Sequence, residues 1–260
     1  MPSPTGSGAS AGGGVRLVRP WGPLEGADVA VTTREGGVSV APYDQLNLAD
    51  HVGDDPRAVA ENRRRLAATL GVRPDALAIA RQVHGAAVAH AAPGAVLGDA
   101  DALVTTEPSV VLCTLVADCV PIALVDAAAQ VLATVHAGWR GVRDGVVTEA
   151  LSAMLDAGAA PDRVRALLGP CISARAYQVG DDVADALDAA GLGHVVVPDG
   201  TGRFLADLAE GVTTQLERGG VPRRHVVAPF AVTDGGATYF SDRARRPCGR
   251  FALVARLVRN

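Results

Sequence analysis

The sequence contains no lysine, and all 24 of its basic residues are arginine. This absence excludes any chemistry that needs a lysine amine, namely a Schiff base, a pyridoxal-phosphate anchor or a P-loop phosphate lysine. An anionic substrate must therefore be bound by arginine side chains, backbone N–H groups or a metal ion. Because the composition is rich in Ala, Gly, Arg and Val, as in high-GC coding sequences, the arginine bias by itself is not a functional signal.

Three further features that the sequence lacks reduce the number of possible protein classes: a positive net charge, a long apolar run and clustered cysteines. The net charge is −4, so no overall basic field favours nucleic acid or an anionic membrane. No apolar run reaches the roughly 18 residues that span a bilayer, and we find no secretory h-region. The four cysteines are scattered in a chain of 260 residues, which argues against a disulfide scaffold. We therefore expect a cytoplasmic monomer with reduced thiols and without nucleic-acid or membrane partners.

The chain divides into a short tail and one domain. Residues 1–14 are rich in Gly, Ser, Pro and Ala without periodicity, which predicts a disordered tail. No linker of similar composition interrupts residues 15–260, which predicts a single domain. Strand and helix patterns are mixed, and neighbouring strands are close enough for hairpins. This favours an α+β fold, a single-domain sandwich of mixed or antiparallel β-sheet with packed helices.

The predicted elements follow from apolar periodicity and from capping residues. The predicted helices are 54–70, with Asp and Pro at its start and Gly71 after its end, 142–157, one from 182, and 204–218. The predicted strands are 28–33, 77–80, 86–90, 110–116, 122–125, 131–135, 164–168, 195–197 and 251–258.

Three segments place a metal-binding side chain where a predicted strand stops: His84 in QVHG, Cys119 in ADC and His136 in VHAGWRG. Two imidazoles and a thiolate are good ligands for zinc or copper, and a set of three leaves a fourth position open, as a catalytic metal needs. Their separations along the chain are too long for a zinc finger but suit strands that converge at one rim of a sheet. Gly85 and Gly138 flank the histidines, as expected where backbone approaches a ligand closely.

The same residues allow other interpretations. A His or Cys beside an apolar strand often only packs in the core, and the flanking glycines can simply form turns. In a thiol hydrolase of amides or esters, Cys119 would be the nucleophile and His136 its base, and Asp118 or another polar group would orient the imidazole. That arrangement leaves His84 without a role, whereas a metal site uses all three residues. Copper oxidation of phenols is a weaker alternative, because one His₂Cys site cannot hold the several coppers that oxygen reduction needs.

Nine segments resemble the YfiH/YlmD family of laccase-domain, or multi-copper polyphenol oxidoreductase, proteins, which are regarded as purine nucleoside phosphorylases. The segments are TTREGGVS (32–39), PYDQLNL (42–48), HVGDD (51–55), NRRRL (62–66), RQVHG (81–85), DALVT (101–105), ADCVPI (117–122), VHAGWRG (135–141) and GPCISARAYQVG (169–180). The resemblance runs from about 29 to 177 and thins afterwards. The combination of QVHG, ADC and HAGWRG in this order is highly specific.

The resemblance implies a compact CNF/YfiH-like α+β sandwich with His84, Cys119 and His136 as ligands of zinc, or alternatively of copper. It implies phosphate-dependent cleavage of adenosine, inosine, guanosine and methylthioadenosine, with adenosine deamination as a side activity. Inorganic phosphate and purine nucleosides are then the partners. Some relatives are linked to peptidoglycan-precursor editing, so such a precursor is a candidate substrate for the hydrolase alternative.

Several polar residues are candidates for binding these substrates. The candidates for phosphate, since a guanidinium can bond two oxygens at once, are Arg34, Arg63, Arg81 and Arg140. Arg34 and Arg63 are favoured because they lie in or beside the matching segments. Asn47 and Gln82 are donor–acceptors that suit ribose hydroxyls or base edges. Each of these side chains can instead be solvated or structural.

The remaining candidates have less specific signals. Asp118 is a candidate proton carrier or a cap of the strand end, and His51 is a weaker candidate for a fourth ligand or a base. Cys113 and Cys171 are predicted to be structural. Cys248 and the arginine-rich run 243–246 are predicted to form a surface loop.

The chain departs from its family in two places. Residues 174–176 stand where family members usually carry a second Cys-rich stretch. Residues 241–247 replace a Ser-Tyr-Arg-Arg-Asp-Gly-like segment. We therefore expect the C-terminal wall of the pocket, and with it the substrate preference, to differ from those of other members.

Overall fold

The computed structural model describes residues 14–22 and 24–258, so residues 1–13 of the predicted disordered tail lie outside the described part. The described residues contain fourteen strands and five α-helices. The strands are β1 (Leu17–Val18), β2 (Ala27–Thr32), β3 (Leu77–Ala78), β4 (Val88–His90), β5 (Ala102–Thr105), β6 (Val111–Val116), β7 (Val120–Asp126), β8 (Val131–Ala137), β9 (Arg165–Leu168), β10 (Gln178–Val179), β11 (Val196–Pro198), β12 (Phe204–Ala206), β13 (Val226–Val227) and β14 (Phe251–Leu257). The helices are α1 (Pro56–Leu70), α2 (Trp139–Arg143), α3 (Val146–Asp156), α4 (Asp181–Ala189) and α5 (Leu208–Arg218).

In this part of the chain the strands form three sheets. The five-stranded sheet has the order β1-β2-β14-β6-β3 and is antiparallel except for the β3–β6 pair. The six-stranded sheet has the order β13-β9-β7-β8-β5-β4, with antiparallel pairs in its centre and parallel pairs at both edges. The small sheet β10-β12-β11 is antiparallel. The fold is therefore the mixed α+β arrangement that the sequence predicts.

Apolar clusters show how the layers pack. One cluster fills the space between the two large sheets, another packs α2–α5 against the six-stranded sheet, and a third packs α1 against the five-stranded sheet. On β14, Phe251 and Leu253 face the other large sheet, whereas Ala252 and Val254 face α1. Both large sheets are thus buried on both faces, which explains why their central strands are almost continuously apolar.

Helix α1 has the boundaries that its capping residues predict. The side chain of Asp55 accepts a hydrogen bond from the N–H of Arg57, and Pro56 occupies the first turn. Gly71 ends the helix in the left-handed conformation, with φ of 68°. Because all of these signals are local, the sequence was sufficient to place this element.

Two other helix predictions are wrong in part. The helix predicted for 142–157 is two helices, α2 and α3, because Gly145 adopts φ of 83° between them. The helix predicted for 204–218 starts only after Asp207, whose side chain accepts the N–H of Glu210. Residues 204–206 instead form β12 between β10 and β11. Four strands, β1, β5, β10 and β13, have no counterpart among the predicted elements.

The described helices α1 to α5 are between 5 and 15 residues long. None of these described helices combines the length and the apolar character that crossing a bilayer requires.

Candidate metal centre and its cavity

His84, Cys119 and His136 come together where the chain passes from one large sheet to the other. Strand β6 of the five-stranded sheet is followed by residues 117–119, and Cys119 directly precedes β7 of the six-stranded sheet. His136 lies in β8, opposite Pro121 of β7, and His84 lies in the turn between β3 and β4. One potential ligand atom from each of the three side chains lies within 4.8 Å of the other two.

The distances within this group suit one shared ion. The Sγ atom of Cys119 is 3.9 Å from Nε2 of His84, and the two imidazole centroids are 4.7 Å apart. Zinc bonds to nitrogen at about 2.0 Å and to sulfur at about 2.3 Å, so ligand atoms around one ion lie roughly 3–4 Å apart. His84 is exposed, Cys119 is half-buried and His136 is buried, so one side of the group faces solvent. Across the described residues, no other such group of His, Cys, Asp or Glu is found.

The buried carboxylate of Asp101 orients both histidines. It accepts a hydrogen bond from Nδ1 of His136 at 2.8 Å and from the backbone N–H of His84 at 2.9 Å. It also accepts the N–H groups of Val83 and Gly85. These bonds hold His84 at φ of 60°, which most residues avoid. Because a carboxylate only accepts, Nδ1 of His136 carries the proton and Nε2 is left for a metal.

Close contact shifts the pKa values of the group. Burial by itself would raise the pKa of Cys119, but the imidazoles of His136 and His84 outweigh it and lower this pKa to about 6. Burial would lower the pKa of His136, but the Cys119 thiolate and the Asp101 carboxylate raise it to about 9. Burial also opposes ionisation of Asp101, yet bonds from His136 and backbone N–H groups keep its pKa below the usual value. The site thus favours a thiolate, the form that binds metal.

The backbone of the HAGWRG segment packs directly against the ligands. A Cβ atom at Gly138 would lie 3.0 Å from Sγ of Cys119 and 3.0 Å from Cδ2 of His84. The φ of Gly138 is −81°, which any residue can adopt, so the close approach alone accounts for glycine here. A Cβ at Gly141 would lie 3.0 Å from the carbonyl oxygen of Gly85. This close-packed cradle and its His₂Cys donor set fit a single metal ion.

A cavity of about 870 Å³ opens beside the group, and all three side chains form part of its wall. Trp139 and Tyr177 add aromatic surface. The C-terminal segment supplies Asp242, Arg243, Arg246, Pro247, Cys248 and Arg250. This volume lies within the usual range for small-molecule sites, and its lining is unusually rich in arginine.

Besides His84, Cys119 and His136, four other predicted site residues line this cavity: His51, Gln82, Asp118 and Arg140. Gln82 uses its side-chain amide to bond both backbone groups of Leu115, at 2.7 and 2.8 Å. The ring of His51 is exposed, with Nδ1 3.7 Å from a carboxylate oxygen of Asp50. The part of the ring that is shielded from water and the neighbouring guanidinium of Arg250 lower the pKa of His51.

The carboxylate of Asp118 is hydrogen-bonded on both oxygens. One oxygen accepts the hydroxyl of Thr233, and the other accepts the backbone N–H of Arg243 at 2.7 Å. Asp118 itself adopts φ of 90° immediately before Cys119. The residue thus links the metal-binding group to the C-terminal segment.

Arg34, Asn47 and Arg63, predicted to bind substrate, do not line the cavity. The guanidinium of Arg34 donates to the backbone and side-chain oxygens of Asp44, and that of Arg63 donates to the backbone of Leu48. Asn47 is fully buried and bonds neighbouring backbone and carboxylate groups. In this chain the motif segments that contain these residues organise loops around α1.

The cysteines are unpaired, and all but Cys119 are buried. Burial raises the pKa of Cys113 and of Cys171 to about 12, as suits the structural positions predicted for them. The surface position predicted for Cys248 is wrong, because it is 3% exposed and lies in the cavity wall. The adjacent run 243–246 is exposed, as predicted, but it also contributes to that wall.

Sequence reasoning missed the roles of Asp101, Tyr177 and Arg243. Two of them lay in segments already singled out, since Asp101 begins DALVT and Tyr177 lies in GPCISARAYQVG. For Arg243 the sequence indicated only that its segment, 241–247, forms a divergent C-terminal wall of the pocket. The structure shows that Arg243 lines the cavity and that its backbone N–H donates to Asp118.

Comparisons with known proteins agree over most of the chain. A family model described as multi-copper polyphenol oxidoreductase laccase matches residues 28–258. A purine nucleoside phosphorylase of Deinococcus radiodurans is 48% identical over 193 residues, which cover 74% of this chain and 75% of that protein. Another, from Mycobacterium tuberculosis strain H37Rv, is 44% identical over 225 residues, which cover 86% of this chain and 89% of that one.

Two solved structures share the fold. YlmD from Geobacillus stearothermophilus is 32% identical with a TM-score of 0.82, and the match covers 90% of this chain and 93% of that one. YfiH from Bacillus licheniformis is 25% identical with a TM-score of 0.85, and the match covers 95% and 97%.

Proposed function

Because the chain belongs to the multi-copper polyphenol oxidoreductase laccase family, the family of YfiH and YlmD, we propose that it is a metal-dependent purine nucleoside phosphorylase. Relatives with that name are 44% and 48% identical to it. The observation that carries the proposal is the cavity, which combines the His84, Cys119 and His136 group with arginine and aromatic side chains.

The proposed substrates are inorganic phosphate and a purine nucleoside, namely adenosine, inosine, guanosine or methylthioadenosine. In the reaction the bond between the sugar C1′ and N9 of the purine breaks, and its electron pair leaves with the base. A phosphate oxygen forms the new bond to C1′, so the products are the free base and the sugar 1-phosphate. The chain's arginines would bind and orient the phosphate, and the walls of the cavity would hold the nucleoside beside it.

We infer that zinc is the resident metal, with copper as the alternative. His84, Cys119 and His136 would hold the ion, and Asp101 would fix the orientation of His136. Three protein ligands, one of them exposed, are typical of a catalytic site and not of a closed structural one. When bound, zinc supplies a Lewis acid that polarises a group at the open position.

Adenosine deamination is proposed as a side activity of the same cavity. In this reaction a water oxygen replaces the amino group at C6, and ammonia leaves. A proton carrier is needed, and Asp118 is the predicted candidate. Its two oxygens are bonded to Thr233 and Arg243, which favours a positioning role over proton transfer.

The test of the proposed function measures metal and activity in one sample. We expect stoichiometric zinc by elemental analysis, and release of hypoxanthine from inosine only when phosphate is present. Adenosine incubated without phosphate should yield inosine slowly. The variant His84→Ala should lose both zinc and phosphorolysis. The matched control is His90→Ala, which removes an exposed imidazole outside the cavity and should keep both. Full activity in metal-free protein would refute the proposal.

A second candidate function is supported by one observation. Cys119, His136 and Asp101 lie in the order of nucleophile, base and orienting carboxylate, as in a thiol hydrolase. For an amide or ester hydrolase, such as one that edits peptidoglycan precursors, His84→Ala should remain active without metal and Cys119→Ser should be inactive. Copper oxidation of phenols is less well supported, because the described residues contain one metal-binding group instead of several.

A further inference from the structure

Four arginines line the cavity, and they differ in whether a nearby carboxylate neutralises the charge of the guanidinium. Arg246 and Arg250 both form ion pairs with Asp242, which also lies in the cavity wall. Arg140 and Arg243 have no carboxylate within ion-pair distance among residues 14–22 and 24–258. Only these two guanidinium groups of the wall therefore present an uncompensated positive charge to a ligand.

Both of these guanidinium groups are held against aromatic rings. The Cζ atom of Arg140 lies 4.4 Å from the ring centroid of Trp139, and that of Arg243 lies 5.1 Å from the centroid of Tyr177. Arg243 also donates through one terminal nitrogen to the backbone oxygen of Gln178 at 2.8 Å. An aromatic ring restricts a guanidinium by stacking without using its N–H donors, so the remaining donors stay free for an oxyanion.

Tyr177 lines the same cavity as Arg140, Arg243 and the metal-binding group. Burial and the Cys119 thiolate raise the pKa of its hydroxyl to about 12, while the charges of Arg243 and Arg140 partly offset this rise. The two free guanidinium groups and the candidate metal ligands are therefore parts of one cavity wall.

The backbone of Arg243 is tied to the candidate metal centre by a hydrogen bond. Its backbone N–H donates to the carboxylate of Asp118, the residue directly before Cys119. The same carboxylate accepts the hydroxyl of Thr233. One buried side chain therefore ties the arginine-bearing segment to the metal-binding group.

We propose that Arg140 and Arg243 form the phosphate subsite of the cavity, whose wall they share with the candidate metal centre. The inference rests on the proposed function, since it names the groups that bind its second substrate. Two preorganised guanidinium groups can donate in a forked geometry to a tetrahedral oxyanion, which suits inorganic phosphate. Asp118 is the positioning residue for Arg243.

The test uses the metal-loaded enzyme and inorganic phosphate. Isothermal titration gives the Kd for phosphate, and steady-state rates with inosine give both KM values. Arg140→Gln and Arg243→Gln should each raise the Kd and the KM for phosphate about tenfold or more, while the inosine KM and the metal content stay near those of the wild type. Arg243→Lys should recover part of the loss, because it restores the charge without the fork.

Arg245→Gln is the matched control. Arg245 is exposed in the same segment but does not line the cavity, so its loss should leave phosphate binding unchanged. Asp118→Asn should weaken phosphate binding while the metal remains bound.

The outcomes separate this inference from the proposed function. Phosphate-dependent cleavage with an unchanged phosphate KM in the Arg140→Gln/Arg243→Gln double variant would overturn the subsite alone. Loss of phosphate binding in Arg246→Gln, with binding retained in the double variant, would also overturn the subsite. If phosphate binding needs Arg140 and Arg243 but no nucleoside is cleaved, the subsite stands and the proposed function fails.

Discussion

At the scale of single residues, Asp101 receives four hydrogen bonds around the metal-binding group. Three come from the backbone N–H groups of residues 83–85, and one comes from the ring of His136. The carboxylate therefore sets the backbone conformation at His84 and the tautomer of the His136 ring. Such partners of metal-binding histidines contribute to metal affinity although they do not touch the ion.

We predict that Asp101→Asn weakens zinc binding by about tenfold to a hundredfold, because the amide cannot accept all four bonds. Competition with a chromogenic chelator measures this change. Asp99→Asn is the control, since Asp99 is exposed two positions earlier and pairs with Arg81. Equal zinc affinity in Asp101→Asn and the wild type would show that the carboxylate does not support the site.

Gly138 gives a steric prediction. Alanine here would place its Cβ 3.0 Å from both Cys119 Sγ and His84 Cδ2, so these side chains must shift. We expect Gly138→Ala to lower the zinc content and the activity, while the metal-free protein unfolds at nearly the wild-type temperature. Gly98→Ala is the matched control, because a Cβ at Gly98 meets no atom within 4 Å. A fully zinc-loaded Gly138→Ala would contradict the close packing.

At the scale of elements, β7 begins directly after Cys119 of the candidate metal centre and ends at a buried carboxylate. Asp126, its last residue, is fully buried and accepts the N–H groups of Ala128 and Ala160 and the guanidinium of Arg163. Burial opposes ionisation of Asp126, but Arg163 and the N–H groups hold its pKa below the usual value. These hydrogen bonds connect the turn after β7 to the segment that precedes β9.

We predict that Asp126→Asn lowers the free energy of unfolding at pH 7 by about 1–3 kcal/mol, because charge-assisted bonds are lost. A carboxylate with a lowered pKa stabilises the fold above its unfolded pKa, near 4, and this contribution is lost as the pH falls through the folded value. The difference between the two proteins in urea unfolding should therefore shrink below about pH 4. Asp185→Asn, at an exposed position of α4, should show no such difference. A constant difference down to pH 2 would exclude this origin.

At the scale of the whole molecule, the candidate metal centre joins segments that are distant in sequence. Its ligands come from the β3–β4 turn, from the crossing between the two large sheets and from β8. A ligand that binds only the folded state stabilises it according to its concentration relative to Kd. Metal loading should thus stabilise the whole fold and not only one loop.

We expect zinc at a hundredfold excess over its Kd to add about 2.7 kcal/mol to stability, which corresponds to a Tm rise of roughly 5–10 °C. Differential scanning calorimetry with and without a chelator measures this shift. Cys119→Ser should show a much smaller shift, since one ligand is lost. Identical Tm values for metal-loaded and metal-free wild-type protein would be incompatible with a metal bound by these three residues.

The sequence by itself determined the features whose signals are local. Asp55, Pro56 and Gly71 fixed the ends of α1, because capping depends on neighbouring residues only. The segments around His84, Cys119 and His136 indicated a candidate metal centre through the chemistry of their side chains together with the resemblance of these segments to the family. The absence of lysine likewise left arginine as the cationic side chain for an anionic substrate.

Only the tertiary structure decided which residues surround that group. Arg243 is held by Asp118, and the ring of His136 is held by Asp101, across separations in sequence that no periodicity encodes. Likewise, Cys248 is buried because the C-terminal segment folds over the cavity. These contacts and this burial depend on which backbone and charged groups come together in three dimensions. The sequence determines them only indirectly, through the packing of the two large sheets.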